Sequence, residues 1–227
     1  MNIAIIPARS GSKRIPNKNI KKFHGKPIIS FSIAKAIQSK LFDEIVVSTD
    51  SKKIADIAIK FGAKIPFLRP KSISDDKTRI TEVIKHTLSW YAKKNINFSY
   101  ACCIYAANPL LELDYLKKGY NELIKSNKEY SLSITKYNHP VQRSMFINKY
   151  GNIQPFNKRN IKSRTQDLKE AYHDAGQFIW GKSQAFLKSV EPLSSRSLPI
   201  IIPSYKVSDL DDFEDFKRTE IIYRHIN

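Results

Sequence analysis

A basic loop near the start of the chain carries the side chains best suited to chemistry. Residues 5–19 read IIPARSGSKRIPNKN and include the cations Arg9, Lys13, Arg14 and Lys18. Backbone N–H groups in such a turn can form an anion nest, and lysine and arginine bind phosphate oxygens. The loop carries neither the GxxxxGK[ST] nor the GxGxxG pattern of the common nucleotide loops. Composition alone is consistent with two interpretations of this loop, a phosphate-binding site and a solvated basic loop.

Two carboxylates near the C-terminus form a second group. Asp209 and Asp211 are two residues apart, so an extended segment points both to the same side. Paired carboxylates can hold Mg²⁺ against phosphate oxygens. The alternative is a helix N-terminus, with Ser208 or Asp209 as cap and further acidic residues favouring the helix dipole. The two interpretations are compatible.

The segment YHDAGQF is the third group. It offers hydrogen-bonding and stacking side chains on a predicted strand, among them Tyr172, His173, Asp174 and Gln177. Alternation along a strand places Tyr172 and Asp174 on one face and His173 and Gln177 on the other. A ligand-binding strand and an ordinary strand beside the core are both consistent with this pattern.

Alternating strands and helices must position these groups. Short apolar runs predict strands at residues 3–6, 44–48, 63–67, 99–105, 130–135, 175–180 and 197–202. Apolar periodicity and caps predict helices beginning near Pro27 and after Ser51, and others at residues 76–93, 113–125 and 213–226. This order predicts a mostly parallel sheet with helices on both faces, and loops after Ile6, Ser48 and Tyr105 along one edge. Residues 137–169 break the rhythm and predict an excursion with a strand pair and a long loop.

Composition limits the class of protein. The net charge of +18 fits a polyanionic partner or a bias towards lysine, and the scatter of lysines along the chain favours bias for most of the excess. The adjacent Cys102 and Cys103 cannot form an ordinary disulfide with each other, and five scattered histidines make a zinc site unexpected. No signal peptide or membrane-spanning run is evident. We therefore expect a cytoplasmic protein.

The motifs together resemble a known family. PARSGSKRIPNKN with GKPII, STD at residues 48–50, FLRP at 67–70, SDD at 74–76 and SDLDD at 208–212 resemble the sugar-acid cytidylyltransferases, which include the CMP-sialic acid and CMP-Kdo synthetases. CCIYAANPLL, YNHPVQR and SRTQDLKEAYHDAGQFIWG resemble the pseudaminic acid branch. The resemblance covers nearly the whole chain. Ser10, Arg79 and Asn108 depart from the commoner pattern, and Arg79 lies in the loop expected beside the cytidine.

The resemblance implies a single cytidylyltransferase domain over residues 1–227, with a Rossmann-like sheet and residues 137–169 as a protruding dimerisation element. It implies a homodimer that binds CTP and a nine-carbon acidic sugar. Nucleotide binding is implied for Arg9, Ser12, Lys13, Lys18, Asn19, Arg69, Ser74, Thr78 and Tyr105. Sugar binding is expected for Arg164, Gln166, Tyr172, His173, Asp174 and Gln177. Mg²⁺ on Asp209 and Asp211, together with Arg9, Lys13 and Lys18, would carry catalysis.

The implied reaction is in-line attack of the sugar's anomeric hydroxyl on the α-phosphorus of CTP, with pyrophosphate leaving. Legionaminic acid, N-acetylneuraminic acid or Kdo as the acceptor would keep this chemistry. A basic nucleic-acid-binding protein is an alternative from another class, but no recognition module accompanies the basic residues. A nucleotide-binding relative without catalysis is a third. We expect neither nucleic acid nor membrane as a partner.

Overall fold

The computed structural model describes residues 1–226 and is built around a central sheet. Within these residues the strands are β1 (Asn2–Pro7), β2 (Lys22–Phe23), β3 (Lys26–Pro27), β4 (Glu44–Ser48), β5 (Tyr100–Ile104), β6 (Tyr130–Lys136), β7 (Met145–Ile147), β8 (Ile153–Pro155), β9 (Tyr172–Lys182) and β10 (Ser197–Ile201). The α-helices are α1 (Ile29–Ser39), α2 (Lys52–Lys60), α3 (Ile80–Ala92), α4 (Leu113–Ile124), α5 (Ser183–Leu187) and α6 (Phe213–Ile226).

Six strands form the main sheet in the order β10-β6-β9-β5-β1-β4. Strand β1 runs parallel to β4 and β5, and β10 runs parallel to β6. Strand β9 is antiparallel to both of its neighbours, β5 and β6. The sheet is therefore mostly parallel, as the sequence predicts, and the carboxyl ends of β1, β4 and β5 meet at one edge.

The core lies on both faces of the sheet because neighbouring residues on a buried strand point in opposite directions. Along β1, Ala4 and Ile6 pack towards α1, α2 and α4, whereas Ile3 and Ile5 pack towards α3 and α5. All four are fully buried. Burial of each isoleucine contributes about 1.5–3 kcal/mol relative to exposure, so the continuous apolar run that predicts β1 also anchors the loop that follows it.

A smaller apolar cluster connects the C-terminal segment to the β2–β3 hairpin that follows the basic loop. Phe23 of β2, Ile28, Leu210 and Phe216 of α6 are buried against one another. Phe23 makes an edge-to-face contact with Phe216 at a ring-centroid distance of 5.6 Å. This cluster fixes the segment that carries the two predicted metal ligands.

Most predicted elements are confirmed, but three are wrong. Residues 63–67 form only an isolated bridge between Lys64 and Val46, and Pro66, which lacks an N–H, cannot extend the pairing. Helix α3 begins at Ile80 rather than residue 76, because the Asp75 carboxylate accepts hydrogen bonds from the N–H groups of Lys77 and Thr78 and holds a turn there. Pro27 lies in the hairpin strand β3, before the helix.

Residues 137–169, the excursion, form a segment that adds no strand to the main sheet. It carries the two-stranded sheet of β7 and β8, joined to three single-turn 3₁₀ helices. Helix α5, of five residues, is too short to leave a periodic signal and was not predicted. In the part of the chain that the structure describes, none of the helices has both the length and the hydrophobicity to cross a membrane.

Candidate active site

The basic loop is anchored at both ends, which explains its shape. It starts where the Ala8 N–H donates to the Ser48 carbonyl of β4 (2.9 Å). Its far end is tied back by the buried Asn19, whose Nδ2 donates to the Arg9 carbonyl (2.9 Å). Ile15 is buried in the middle of the loop. Asn19 therefore holds the two ends of the loop together.

A cleft of about 340 Å³ lies beside this loop, at the carboxyl ends of β1 and β5. Ten of the residues predicted to bind nucleotide or metal line it: Arg9, Ser12, Lys13, Lys18, Asn19, Arg69, Thr78, Tyr105, Asp209 and Asp211. Ser74 is not among the lining residues, because its hydroxyl donates to the Pro70 carbonyl (2.8 Å) within its own turn. Residues far apart in sequence thus meet in one site.

Arg69 forms a buried positive group on the wall of the cleft. Its N–H donates to the Thr49 carbonyl (2.7 Å), and its side chain is almost fully buried. Within residues 1–226, its Nε and Nη2 atoms have no hydrogen-bond partner. Burial lowers the pKa of Arg69, and the charge of Asp50 opposes this. A buried guanidinium with unused donors is suited to a ligand that brings hydrogen-bond acceptors.

Asp50 links Arg69 to the basic loop. Its carboxylate accepts hydrogen bonds from the Ser10 N–H (2.8 Å) and the Ser10 hydroxyl (2.7 Å). Burial alone would raise the pKa of Asp50, but these hydrogen bonds and the charge of Arg69 lower it. Ser10, which stands where the family pattern has glycine, therefore holds the carboxylate that faces Arg69.

The Asp209–Asp211 segment lines the cleft and contacts the basic loop. Leu210 is buried between the two aspartates, and the Lys18 ammonium donates to its carbonyl. Arg14 Nη2 donates to Asp211 Oδ1 (2.7 Å), and Lys18 Nζ lies 4.0 Å from the same oxygen. Burial, followed by the negative charge of Asp211, raises the pKa of Asp209.

The alternative prediction, that Ser208 or Asp209 caps the C-terminal helix, is wrong. Helix α6 is capped by Asp212, whose Oδ1 accepts from the N–H groups of Glu214 (2.8 Å) and Asp215 (2.9 Å). Asp209 and Asp211 precede this cap. They are therefore available to the cleft, which both of them line.

Tyr105 and the β9 segment close another side of the cleft. The Tyr105 hydroxyl donates to Asp174 Oδ2 (3.0 Å), and Asp174 Oδ1 accepts the Gly176 N–H (2.8 Å). Burial and the Asp174 carboxylate raise the pKa of Tyr105. Gly176 lines the cleft next to Asp209.

The other predicted sugar ligands are not brought to this cleft. Arg164 Nε pairs with Asp167 (3.1 Å), and Gln166 lines a separate cavity of about 290 Å³ at the base of the excursion. The Tyr172 hydroxyl donates to Glu170 (2.8 Å), and His173 packs against Tyr137. Gln177 is buried, with Nε2 donating to the Lys206 carbonyl (3.3 Å). Of the six, only Asp174 contacts a residue of the cleft lining through its side chain.

The cleft is also lined by residues that the sequence did not predict as ligands, among them Arg14, Asp76 and Gly176. Arg14 belongs to the basic loop, and Asp76 lies between the predicted ligands Ser74 and Thr78. Their sequence neighbours therefore indicated that both residues lie near the site. Asp76 forms ion pairs with both Arg9 and Lys13. Gly176 has no such signal, because its place depends on how β9 pairs.

One sequence pattern has no phosphate-binding role here. Residues 176–183, GQFIWGKS, match GxxxxGK[ST] formally, although the basic loop does not. They lie mostly within strand β9, with Phe178 and Trp180 buried in the core. A phosphate loop of that type needs an exposed turn between a strand and a helix, and this segment provides none.

Comparison with known proteins agrees with this geometry. The sequence model of the family described as cytidylyltransferase matches residues 3–224. The chain belongs to the cytidylyltransferase family. It is 40% identical over 223 residues to a pseudaminic acid cytidylyltransferase of Campylobacter jejuni subsp. jejuni serotype O:2, covering 98% of this chain and 96% of the relative.

More distant relatives extend the comparison. An N-acylneuraminate cytidylyltransferase of Escherichia coli O18:K1:H7 is 30% identical over 217 residues, which cover 95% of this chain and 50% of that protein. A solved structure of CMP:2-keto-3-deoxy-manno-octonic acid synthetase complexed with CTP has a TM-score of 0.72 at 14% identity and covers 100% of this chain and 99% of its own. That likeness confirms the Rossmann-like fold of this cytidylyltransferase.

The remaining departures from the family pattern have structural partners in this cytidylyltransferase. Arg79, which directly precedes α3, forms an ion pair with Glu191 and is not part of the cleft lining. Asn108 is buried, and its Nδ2 donates to the Gln177 carbonyl (3.3 Å). Asn108 therefore supports the strand beside the cleft.

Proposed function

We propose that this chain transfers CMP from CTP to the anomeric hydroxyl of pseudaminic acid and releases pyrophosphate and a proton. The observation that carries the proposal is the single cleft, in which a cationic loop faces a pair of carboxylates. The pseudaminic acid cytidylyltransferase of Campylobacter jejuni, matched over nearly its whole length, supports the choice of sugar.

The triphosphate would bind along the basic loop. Arg9, Lys13 and Lys18 supply positive charge, and Ser12 adds a hydroxyl within the same turn. Arginine and lysine form short, charge-assisted hydrogen bonds with phosphate oxygens. The anchored ends of the loop fix these donors before the substrate arrives, which lowers the ordering cost of binding.

The cytidine would lie against the wall that carries Arg69. Among residues 1–226 the buried Nε and Nη2 donors of Arg69 have no partner, and Thr78 and Tyr105 line the same space. Ile80 and Val83 of α3 provide apolar surface there. Ser74 would act by shaping the turn rather than by contact, since its hydroxyl is used by Pro70.

Asp209 and Asp211 fit a divalent metal ion. Cytidylyltransferases generally use one. Asp209 is a partly buried carboxylate repelled by its acidic neighbours, and a cation would relieve this repulsion. Within residues 1–226 no group of three acidic, histidine or cysteine residues forms a complete metal cage. Mg²⁺ bound by one or two carboxylates and completed by substrate phosphates needs no such cage.

The reaction would be a direct displacement. The anomeric oxygen bonds to the α-phosphorus, the bond to the β-phosphate oxygen breaks, and pyrophosphate leaves. Mg²⁺ on Asp209 and Asp211 would stabilise the negative charge that develops. The chain's own part is to hold both substrates in line and to neutralise the triphosphate with Arg9, Lys13 and Lys18.

The sugar would enter beside Tyr105, Asp174 and Gly176, where β9 borders the cleft. We keep Arg164, Gln166, Tyr172, His173 and Gln177 as candidate sugar ligands. Arg164 and Gln166 lie in the excursion, so such a role needs the excursion of this chain or of a second copy to reach a cleft.

We also propose that the excursion forms a homodimer contact. Its β7–β8 sheet exposes large apolar side chains: Met145, Ile147, Tyr150, Ile153 and Phe156. Contiguous apolar surface of this kind is rare on monomers and is typical of protein interfaces. A cytoplasmic location is proposed with it, and the two free, buried cysteines fit a reducing compartment.

The decisive experiment measures pyrophosphate release from CTP and Mg²⁺ with pseudaminic, legionaminic, N-acetylneuraminic and Kdo acids. We expect release with pseudaminic acid. Release only with another sugar keeps the chemistry and refutes the branch. Steeply salt-dependent binding of arbitrary DNA with no CTP turnover would favour the nucleic-acid alternative. CTP binding without turnover on any sugar would favour a non-catalytic relative.

A further inference from the structure

Asp76 lies between two cations of the basic loop. Arg9 Nη1 donates to its Oδ1, and Lys13 Nζ pairs with its Oδ2. Each carboxylate oxygen therefore holds one of the side chains to which triphosphate binding is assigned. All three residues line the cleft.

The turn that carries Asp76 is fixed by its neighbour. Asp75 Oδ1 accepts the N–H groups of Lys77 (3.1 Å) and Thr78 (2.8 Å) and the Thr78 hydroxyl (2.6 Å). Hydrogen bonds from Lys13 and Arg9 lower the pKa of Asp76 to about 2, so its carboxylate stays anionic at neutral pH. A charged oxygen pair is thus always presented to the loop.

The contacts of Asp76 are of a kind that a phosphate can replace. Guanidinium and ammonium groups bind carboxylate and phosphate oxygens with the same donors, and a polyphosphate brings more negative charge. The Asp76 side chain is 40% exposed and the Lys13 side chain 81% exposed. Ion pairs this exposed are weak and readily exchanged.

We propose that Asp76 is an internal competitor of the triphosphate, occupying the donors of Arg9 and Lys13 until the nucleotide displaces it. The inference rests on the proposed function, because it takes these two residues as triphosphate ligands. Asp76 keeps the loop ordered and partly neutralised when no nucleotide is bound. Its return to Arg9 and Lys13 favours the release of pyrophosphate after the reaction.

The test is the Asp76→Asn variant, which keeps the shape of the side chain and removes its charge. Titration calorimetry with inorganic pyrophosphate, and separately with CTP, should show Kd lower by roughly three- to tenfold, the size expected for losing weak, exposed ion pairs. In the turnover assay, pyrophosphate should inhibit the variant at correspondingly lower concentration. Asp76→Glu, which retains a carboxylate, should restore affinity close to that of the unchanged chain.

Asp56→Asn is the matched control. Asp56 is exposed on α2 and is not part of the cleft lining, so it changes the net charge by the same amount at a distance. Unchanged or weaker pyrophosphate binding by a folded Asp76→Asn protein would overturn the proposal. Equal tightening by Asp56→Asn would also overturn it, since net charge alone would then account for the effect. An unchanged chain that binds neither CTP nor pyrophosphate would instead refute the site assignment itself.

Discussion

Replacing Asp209 or Asp211 by asparagine should lower turnover by roughly 10²–10³-fold in both cases while shifting stability in opposite directions. The two residues differ in surroundings although they are two apart in sequence. Asp211 is paired with Arg14 at 2.7 Å, whereas Asp209 is partly buried and faces other carboxylates. Removing the charge of Asp211 loses an attraction, and removing that of Asp209 relieves a repulsion.

The size of the shifts follows from these contacts. The Arg14–Asp211 pair is exposed and contributes up to about 1 kcal/mol. Asp211→Asn should therefore lower the Tm by up to about 2–4 °C for a domain of this size. Asp209→Asn should raise the Tm of the metal-free protein by a few degrees. Both variants should lose roughly 10²–10³-fold in kcat, the scale for losing one group that stabilises transition-state charge.

The pH dependence of the Tm is a second test of the sign of the Asp209→Asn effect. The folded-state pKa of Asp209 is raised above its ordinary value of 3.8, so the unfolded chain loses this proton first, and stability falls as pH rises from about 3.8 to the folded pKa. The Tm advantage of Asp209→Asn should accordingly be present at neutral pH, shrink as pH falls below the folded pKa, and vanish below the ordinary value of 3.8.

The assays are calorimetric melting without metal and with added Mg²⁺, and pyrophosphate release. Mg²⁺ should raise the Tm of the unchanged chain more than that of either variant, because binding stabilises only the folded state that holds the metal. Shifts of the same sign for both variants would refute the assignment of surroundings. Turnover close to that of the unchanged chain would refute the metal assignment.

Three further predictions concern the core, the nucleotide wall and the excursion. Gly181→Ala places a methyl group 2.4 Å from Tyr130 and 2.6 Å from Phe186, so chemical denaturation should show a loss of about 1–3 kcal/mol with turnover per folded molecule preserved. Arg69→Met removes buried donors that nothing else in residues 1–226 uses, and calorimetry should show CTP binding weaker by roughly ten- to a hundredfold with pyrophosphate binding less affected. Ile147→Asp, at an exposed apolar position of β7, should convert a dimer to a monomer in light scattering, and an unchanged mass would contradict the proposed contact.

Elements with a strong local signal were predictable from sequence. Ile3 to Ile6 is a continuous apolar run. In a fold of alternating strands and helices, such a run indicates a strand that is buried on both faces. Ser51 caps α2 by accepting the Ile54 N–H, as its position before an apolar period indicates. The gathering of Arg9, Arg69 and Asp209 in one cleft was implied by the resemblance, and the edge formed by parallel strands gives its physical reason.

Features decided by a single side chain were not predictable in the same way. The start of α3 depends on Asp75, whose carboxylate replaces the helical hydrogen bonds with a local turn. Asp76 looks like an ordinary polar residue until the basic loop is folded against it, 67 residues away in sequence. Periodicity records which face of an element is buried, and it contains no information about such long-range partners.

The YHDAGQF segment was predicted either as a ligand-binding strand or as an ordinary strand beside the core. The alternation of side chains along a strand could not separate the two, because the strand is irregular here. Leu132 of β6 pairs with Ile179, but Ile134 pairs with Asp174, so four residues of β9 bulge opposite Ser133. The Ser133 hydroxyl accepts the Phe178 N–H (3.0 Å) in place of the interrupted ladder.

Gly176, at φ +62°, takes a left-handed conformation at this bulge and reaches the cleft beside Asp209. A strand that is buried in the core after the bulge is thus opened where it passes the site, as bulges often do next to active sites. The segment is both a core strand and a wall of the cleft. The residue that makes this possible is the glycine, which offers no side chain for a sequence pattern to assign.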